Sequence, residues 1–170
     1  MITGKEQLLS MLSSDRCHHT LYEHPPVFTA DESMQYCADI PGAHVKNLFL
    51  RNKKKTVYFL LTVKEEKRVD LLTLGERLGL GRLSFASSDD LIAMLGIQPG
   101  SVTPLAIIND HSHHVMLYFD HDLMGEEFVS VHPMQNTATI CIKLCDLIQF
   151  IDKSGQKKID FIEVPFIGLG

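Results

Sequence analysis

The chain has 170 residues, 45% hydrophobic and 22% charged, with a formal net charge of −5. That suits one domain with a substantial core and the composition of an ordinary globular protein. No apolar run approaches the roughly 20 residues that span a bilayer, and Met1 to Ser14 lacks a signal-peptide core. The acidic balance argues against sequence-independent binding to long nucleic acids, where counterion release rewards many cations. A small contact with an RNA end stays open, because a local patch acts within a screening length of about 8 Å. Cys17, Cys37, Cys141 and Cys145 form no CxxC pair and read as free thiols of a reducing cytosol.

Gly4 to Ser13 carries Leu8, Leu9 and Leu12 at helical spacing, a short amphipathic helix. His18 to His24 reads as a strand ending in the His24-Pro25-Pro26 turn. Thr29, with Glu32 three residues on, forms a capping box that opens a helix through about Ala38. Pro41-Gly42 ends it and leads into His44 to Lys55, where Leu48, Phe49 and Leu50 read as a half-buried strand. This places Lys46 and Asn47 at the strand entrance, Asn52-Lys53-Lys54 at its turn, and Thr56 to Val63 on a second strand. Arg51, Lys53, Lys54 and Lys55 then make a positive hairpin tip, either solvated edge protection or a phosphate-attracting patch.

A charged turn, Lys64 to Arg68, precedes an Asp70-capped helix with Leu71, Leu72, Leu74 and Leu78, stopped by Gly79 and Gly81. Leu83 to Phe85 is a short strand. Ser87 or Ser88 caps a helix over Asp89 to Leu95, with Gly96 at its end. Pro99 to Pro104 is a loop held by prolines at both ends. Leu105 to Ile108 and Val115 to Phe119 are expected to form a hairpin across Asn109 to His114. Phe128 to Val131 and Thr137 to Ile142 are strands on either side of His132-Pro133, and Leu144 to Ile151 is a helix. Lys153 to Lys158 is a polar connection, and Phe161 to Phe166 an edge strand or a tail. The irregular order predicts a mixed, partly curled sheet with helices packed outside it, α+β or α/β with antiparallel pairs, in a single domain over residues 1–170.

His111, His113, His114 and His121 read as a solvated loop, since a metal site needs converging and supported ligands. No metal or other cofactor is expected. HExxH, P-loop, GxGxxG and GxSxG patterns are absent. Three loop segments remain: Lys46-Asn47, Gly100 to Pro104, and Ser130 to Thr137. Loops carry sites more often than cores do. A Gly-led loop lets backbone N–H groups approach a ligand closely, as an oxyanion hole requires. His132, before Pro133, has a restricted, extended backbone.

Taken in order, VKNLFLRNKKK, DLLTLGERLGLGRLSFAS, LIAMLGIQPGSVTPLAIIND and FVSVHPMQNTATI resemble the YbaK/ProX family of aminoacyl-tRNA deacylases. This is the editing domain also found inserted in bacterial prolyl-tRNA synthetases. The resemblance runs from about Tyr22 to Phe150, with LGxxPGSVTP and HPxxNTAT as its specific elements. KNLFL looks closest to the free-standing alanine-specific branch (ProXp-ala, or PrdX) rather than the cysteine-specific YbaK branch.

What the resemblance implies is a barrel-like mixed α/β domain that hydrolyses mischarged tRNA(Pro), chiefly Ala-tRNA(Pro), in trans. Cys-tRNA(Pro) as substrate, or a non-catalytic binding module of the same fold, are the alternatives. Its partners would be the tRNA acceptor end and, transiently, prolyl-tRNA synthetase, in the cytoplasm, with no membrane and no DNA. In the family the lysine matching Lys46 is essential, and Asn47 matches its neighbour. The loop matching Gly100, Ser101, Val102, Thr103 and Pro104 and the histidine matching His132 line the aminoacyl site. Val27 and Phe28, at the turn before the first capped helix, are added as pocket wall, and Arg51, Lys53, Lys54 and Lys55 as tRNA phosphate contacts. An aminoacyl ester is already activated, so positioned water and a stabilised oxyanion suffice. Lys46 could hold a phosphate or the ester oxygen, the Gly100 loop the carbonyl, and the ribose 2'-hydroxyl the water.

Overall fold

The computed structural model describes residues 1–155 and 157–168. Gln156, within the expected Lys153 to Lys158 connection, and the last two residues of the expected 1–170 domain lie outside the described residues. The strands are β1 (His19–Glu23), β2 (Ala43–Asn52), β3 (Tyr58–Lys64), β4 (Leu83–Phe85), β5 (Val115–Asp120), β6 (Phe128–Val131), β7 (Ala138–Lys143) and β8 (Asp160–Ile162). The helices are α1 (Lys5–Ser14), α2 (Ala30–Cys37), α3 (Leu71–Arg77), α4 (Ser88–Leu95) and α5 (Leu144–Gly155).

The strands pair as an open path, β1-β7-β6-β2-β3-β5-β8, with β4 added to β2. The β2–β3 hairpin is its centre. Asn52 closes the hairpin turn by accepting the Thr56 and Val57 amides on its side-chain oxygen, at 2.9 and 3.2 Å. Side chains alternate along both strands, so the hairpin divides two apolar layers. Phe49 and Leu60 join the larger core with Leu8, Leu95, Leu105 and Phe150, whereas Leu50, Phe59, Leu61 and Val63 pack with Leu74 of α3. The wholly buried Phe59, Phe119 and Phe150 anchor these layers, each contributing about 1.5–3 kcal/mol of apolar burial. A third, small cluster of Val27, Cys37, Ile40 and Cys141 seats α2 against β7.

The pairing is mixed, as expected: β2–β3, β2–β4, β1–β7 and β6–β7 are antiparallel, whereas β2–β6, β3–β5 and β5–β8 are parallel. One parallel contact matters most. β2 and β6 join the two halves of the sheet through only Ala43↔Val129 and His44↔Ser130.

Four expectations need correction. Leu105 to Ile108 is no strand but part of a 3-10 helix over Pro104–Asn109. Thr103 caps it by accepting the Leu105 amide, Pro104 starts it, and every residue in it is buried, so no face alternates. The Asp110 carboxylate takes the His114 and Val115 amides at 3.1 and 2.7 Å, and β5 leaves to lie parallel to β3. The final strand is shorter than Phe161 to Phe166; Phe166 makes only an isolated bridge to Val69. Lys46 does not stand at the entrance of β2, because that strand already begins at Ala43 and Lys46 pairs with Val63 inside it. Arg51 does not join the lysines at the hairpin tip: it is half-buried, with Nη1 donating to Asn52 O at 3.1 Å.

Candidate active site

Beyond His44↔Ser130 the strands β2 and β6 diverge, and a cleft of about 350 Å³ occupies the gap. Val45, Lys46 and Asn47 line one side and Ser130, Val131 and His132 the other. Val27, Phe28 and the first turn of α2 close the top, and Gly100 and Val102 a third wall.

The hairpin register determines which peptide groups face this cleft. The Glu65 N–H donates to His44 O at 2.9 Å, and Asn52 N–H to Val57 O at 3.1 Å. Even-numbered residues of β2 therefore turn their peptide groups to β3, which directs those of Val45 and Asn47 to the β6 side. The Val45 N–H is taken up by Ser130 O in the His44↔Ser130 pairing, which leaves Val45 O and the peptide groups of Asn47 on the cleft side.

Asn47 fixes the cleft to its surroundings. Its Oδ1 accepts from the buried Thr62 hydroxyl at 2.6 Å, and its Nδ2 donates to Val102 O at 3.3 Å. One amide side chain therefore ties β3, β2 and the Gly100 loop together. Lys46 is partly buried, and burial lowers its proton affinity while Glu65 opposes that shift. Among the described residues no ion pair or hydrogen bond takes up its ammonium.

Gly100 has φ +86°, a left-handed conformation that favours glycine. A Cβ there would stand 3.0 and 3.2 Å from Cδ1 and Cε1 of Phe28, so one edge of the ring abuts the glycine. Phe28 is 69% exposed, and its amide is held by the Glu32 carboxylate at 2.6 Å. Asn136 braces the same segment: its carbonyl accepts from Val27 N–H at 3.2 Å and its Nδ2 donates to Val27 O at 3.4 Å.

His132 donates Nδ1–H to Ala138 O at 2.9 Å, which leaves Nε2 of the neutral ring as an acceptor. Burial lowers its proton affinity, so the neutral form prevails at pH 7. Nε2 has no protein partner among the described residues and is not enclosed, so it opens to the cleft. Behind it, His24 donates Nδ1–H to Pro25 O and accepts the Thr139 hydroxyl at 2.8 Å. Burial pushes the Cys37 thiol up, which keeps it protonated and a poor nucleophile. Among the described residues no three His, Cys, Asp or Glu side chains converge as a metal ion requires.

Of the residues singled out from sequence, Lys46, Asn47, Gly100, Val102, His132, Val27 and Phe28 meet in this cleft. Ser101, Thr103 and Pro104 do not line it; they are buried beneath, where they shape the loop and start the 3-10 helix. Lys53, Lys54 and Lys55 are exposed at the far end of β2, about 23 Å along the strand from Lys46. Sequence reasoning missed His44, Glu65, Ser33, Cys37 and Thr139. For Glu65 a signal existed: folding the hairpin about Asn52 to Lys55 sets it opposite His44.

Comparison with known proteins places this architecture. The model of the aminoacyl-tRNA editing domain matches residues 24–150. The prolyl-tRNA editing protein ProX of Acetoanaerobium sticklandii is 34% identical over 153 residues, covering 90% of this chain and 93% of that protein. The prolyl-tRNA synthetase associated domain-containing protein 1 of Mus musculus is 38% identical over 141 residues, covering 81% and 83%. Among solved structures, a candidate trans-editing enzyme for prolyl tRNA synthetase superposes with a TM-score of 0.70 at 21% identity, over 99% of this chain and 100% of that one. That likeness shows a shared fold. The matched span encloses every segment that walls the cleft, and the chain therefore belongs to the aminoacyl-tRNA editing domain family, the aminoacyl-tRNA deacylases.

Proposed function

We propose that this chain removes alanine from mischarged tRNA(Pro), acting in trans to prolyl-tRNA synthetase as one editing domain. The observation that carries the reading is a cleft whose only free cation among the described lining residues, Lys46, shares it with a neutral His132 and a glycine-led loop. The relative named a prolyl-tRNA editing protein supports the choice of tRNA, and the KNLFL element supports the choice of alanine.

The chemistry needs no covalent intermediate. Water adds to the ester carbonyl carbon, the bond to the ribose oxygen breaks, and that oxygen leaves with a proton. The amino acid departs as a carboxylate. Lys46 and the backbone N–H of Asn47 on the cleft edge of β2 are suited to the negative charge that develops on the carbonyl oxygen. His132 Nε2 is suited to accept a hydrogen bond from water or a ribose hydroxyl, and its tautomer is set by Ala138. Cys37 is protonated, and Ser130 donates its hydroxyl to Ala43 O at 3.3 Å. Neither is prepared as a nucleophile.

Selectivity against proline follows from size. A hydrophobic pocket rejects a smaller side chain poorly, at about 1–3 kcal/mol per methylene, but excludes a larger one by overlap. Phe28 on Gly100 is the wall that would meet the proline ring. The test is a panel of tRNA(Pro) charged with alanine, cysteine, serine or proline. Alanine should be released fastest and proline spared, and Phe28→Ala should admit larger acyl groups. Comparable cleavage of the alanyl and prolyl esters by the wild type would overturn the reading.

A further inference from the structure

Glu65 is the one carboxylate among the described residues that line the cleft, and nothing in the reaction above uses it. Its position is fixed at both ends. Its own N–H donates to His44 O at 2.9 Å. Lys67, two residues on, is clamped to Asp120 and Asp122 at 2.5 and 2.9 Å.

The two lysines that flank Glu65 in sequence are occupied elsewhere, whereas Lys46 across the cleft is not. Lys67 is held by the two aspartates, and Lys64 pairs with Glu126 at 2.7 Å. The nearest ring is His44, with Nδ1 at 3.9 Å from Glu65 Oε2. Since His44 donates Nε2–H to Ile40 O at 2.8 Å, Nδ1 of the neutral ring has no proton to offer the carboxylate. Glu65 is 30% exposed, so its charge reaches the cleft only partly screened. Burial lowers the proton affinity of both Lys46 and His132, and the charge of Glu65 opposes that shift at both; all three side chains line the same cleft.

An aminoacyl ester has lost its carboxylate but keeps its α-amino group, a cation at neutral pH, since such groups titrate at about 7.7–8.0. Desolvating that cation beside Lys46 is unfavourable unless an anion meets it. We propose that Glu65 receives the α-ammonium of the substrate and makes this enzyme selective for acyl groups with a free α-amino group over uncharged acyl groups on the same tRNA. This rests on the deacylase reading above. An acyl group lacking the charge leaves Glu65 unpaired in a partly buried cleft, the situation in which a polar site discriminates most strongly.

The experiment compares the alanyl and lactyl esters of tRNA(Pro), which differ by an α-amino group against a hydroxyl at nearly equal size. At pH 7 the wild type should favour the alanyl ester in kcat/KM by about tenfold, the lower end for a hydrogen bond to a charged group, given the exposure of Glu65. Glu65→Gln should bring the ratio close to one, and Glu65→Asp should keep part of the preference. A wild-type ratio near one overturns the proposal without needing any variant. So does a preference that survives in Glu65→Gln; if both rates then fall together, Glu65 acts only as a counter-charge to Lys46. If the wild type cleaves neither ester, the alanyl assignment falls, and this inference with it.

Discussion

Gly100→Ala separates the strain of a loop from its role in the site. The substitution adds one methyl at φ +86°, where a non-glycine residue costs about 1–2 kcal/mol. The new Cβ would also press on the Phe28 ring at 3.0 Å. That ring is 69% exposed and moves outward readily, so the contact adds little to the stability loss. For a chain of this size the total lowers Tm by about 2–8 °C. Catalysis should suffer more, because moving the loop and Phe28 together displaces two walls of the cleft, and about 1 Å of misplacement costs on the order of a hundredfold in rate. Gly79→Ala is the control: it takes the same backbone penalty at φ +68° with nothing within 4 Å of its Cβ. Scanning calorimetry and single-turnover deacylation of alanyl-tRNA(Pro) would be run on both. The expected outcome is a similar Tm loss in the two variants and a rate loss only in Gly100→Ala. Wild-type cleavage by a folded Gly100→Ala would refute the idea that this loop and Phe28 place the substrate.

Three further outcomes follow. Lys46→Ala should nearly abolish hydrolysis while leaving the circular dichroism spectrum and Tm close to wild type, since no protein group among the described residues depends on its ammonium; wild-type turnover would remove its assignment. Neutralising Lys53, Lys54 and Lys55 together should weaken tRNA binding and flatten its salt dependence by about 0.7–0.9 in slope per lost phosphate contact, leaving amino acid selectivity as it was. An unchanged slope would mark them as ordinary solvated surface. Burial holds His132 below its usual 6.5, so the unfolded chain takes up its proton first as pH falls. Its stabilising contribution is therefore complete above pH 6.5 and declines toward the folded-state value at up to about 1.4 kcal/mol per pH unit, a slope that His132→Gln should remove from urea unfolding curves between pH 5 and 7.5.

Local chemistry was legible wherever a side chain acts on its own backbone. The Thr29–Glu32 box, the Asp70 and Ser87 caps and the hairpin turn at Asn52 to Lys54 all form where the sequence predicts them. The Leu105 to Ile108 run was ambiguous because a short apolar stretch reads alike as strand or buried helix. Thr103-Pro104 was the overlooked signal, a cap followed by a residue suited to a first helical turn. The cleft was legible only in part. Lys46, Gly100 and His132 sit in segments marked by turn chemistry and by a family resemblance, and the predicted hairpin sets Glu65 opposite His44, whereas Cys37 and Thr139 reach the cleft only through long-range packing. The parallel contact of β2 with β6 joins segments more than 80 residues apart, and no local pattern encodes it.

On the proposed reading, that contact would make substrate a structural component. With two paired residues on each strand, the seam between the halves of the sheet is short, and the exposed peptide edge past it lies where the acyl end would bind. An acceptor end lodged there acts as a suture, bridging strands that the chain itself leaves apart. A non-hydrolysable alanyl-adenosine analogue at a hundred times its Kd would stabilise the fold by about 2.7 kcal/mol, and the slowing of amide exchange should concentrate at Asn47 and His132 rather than spread through the core.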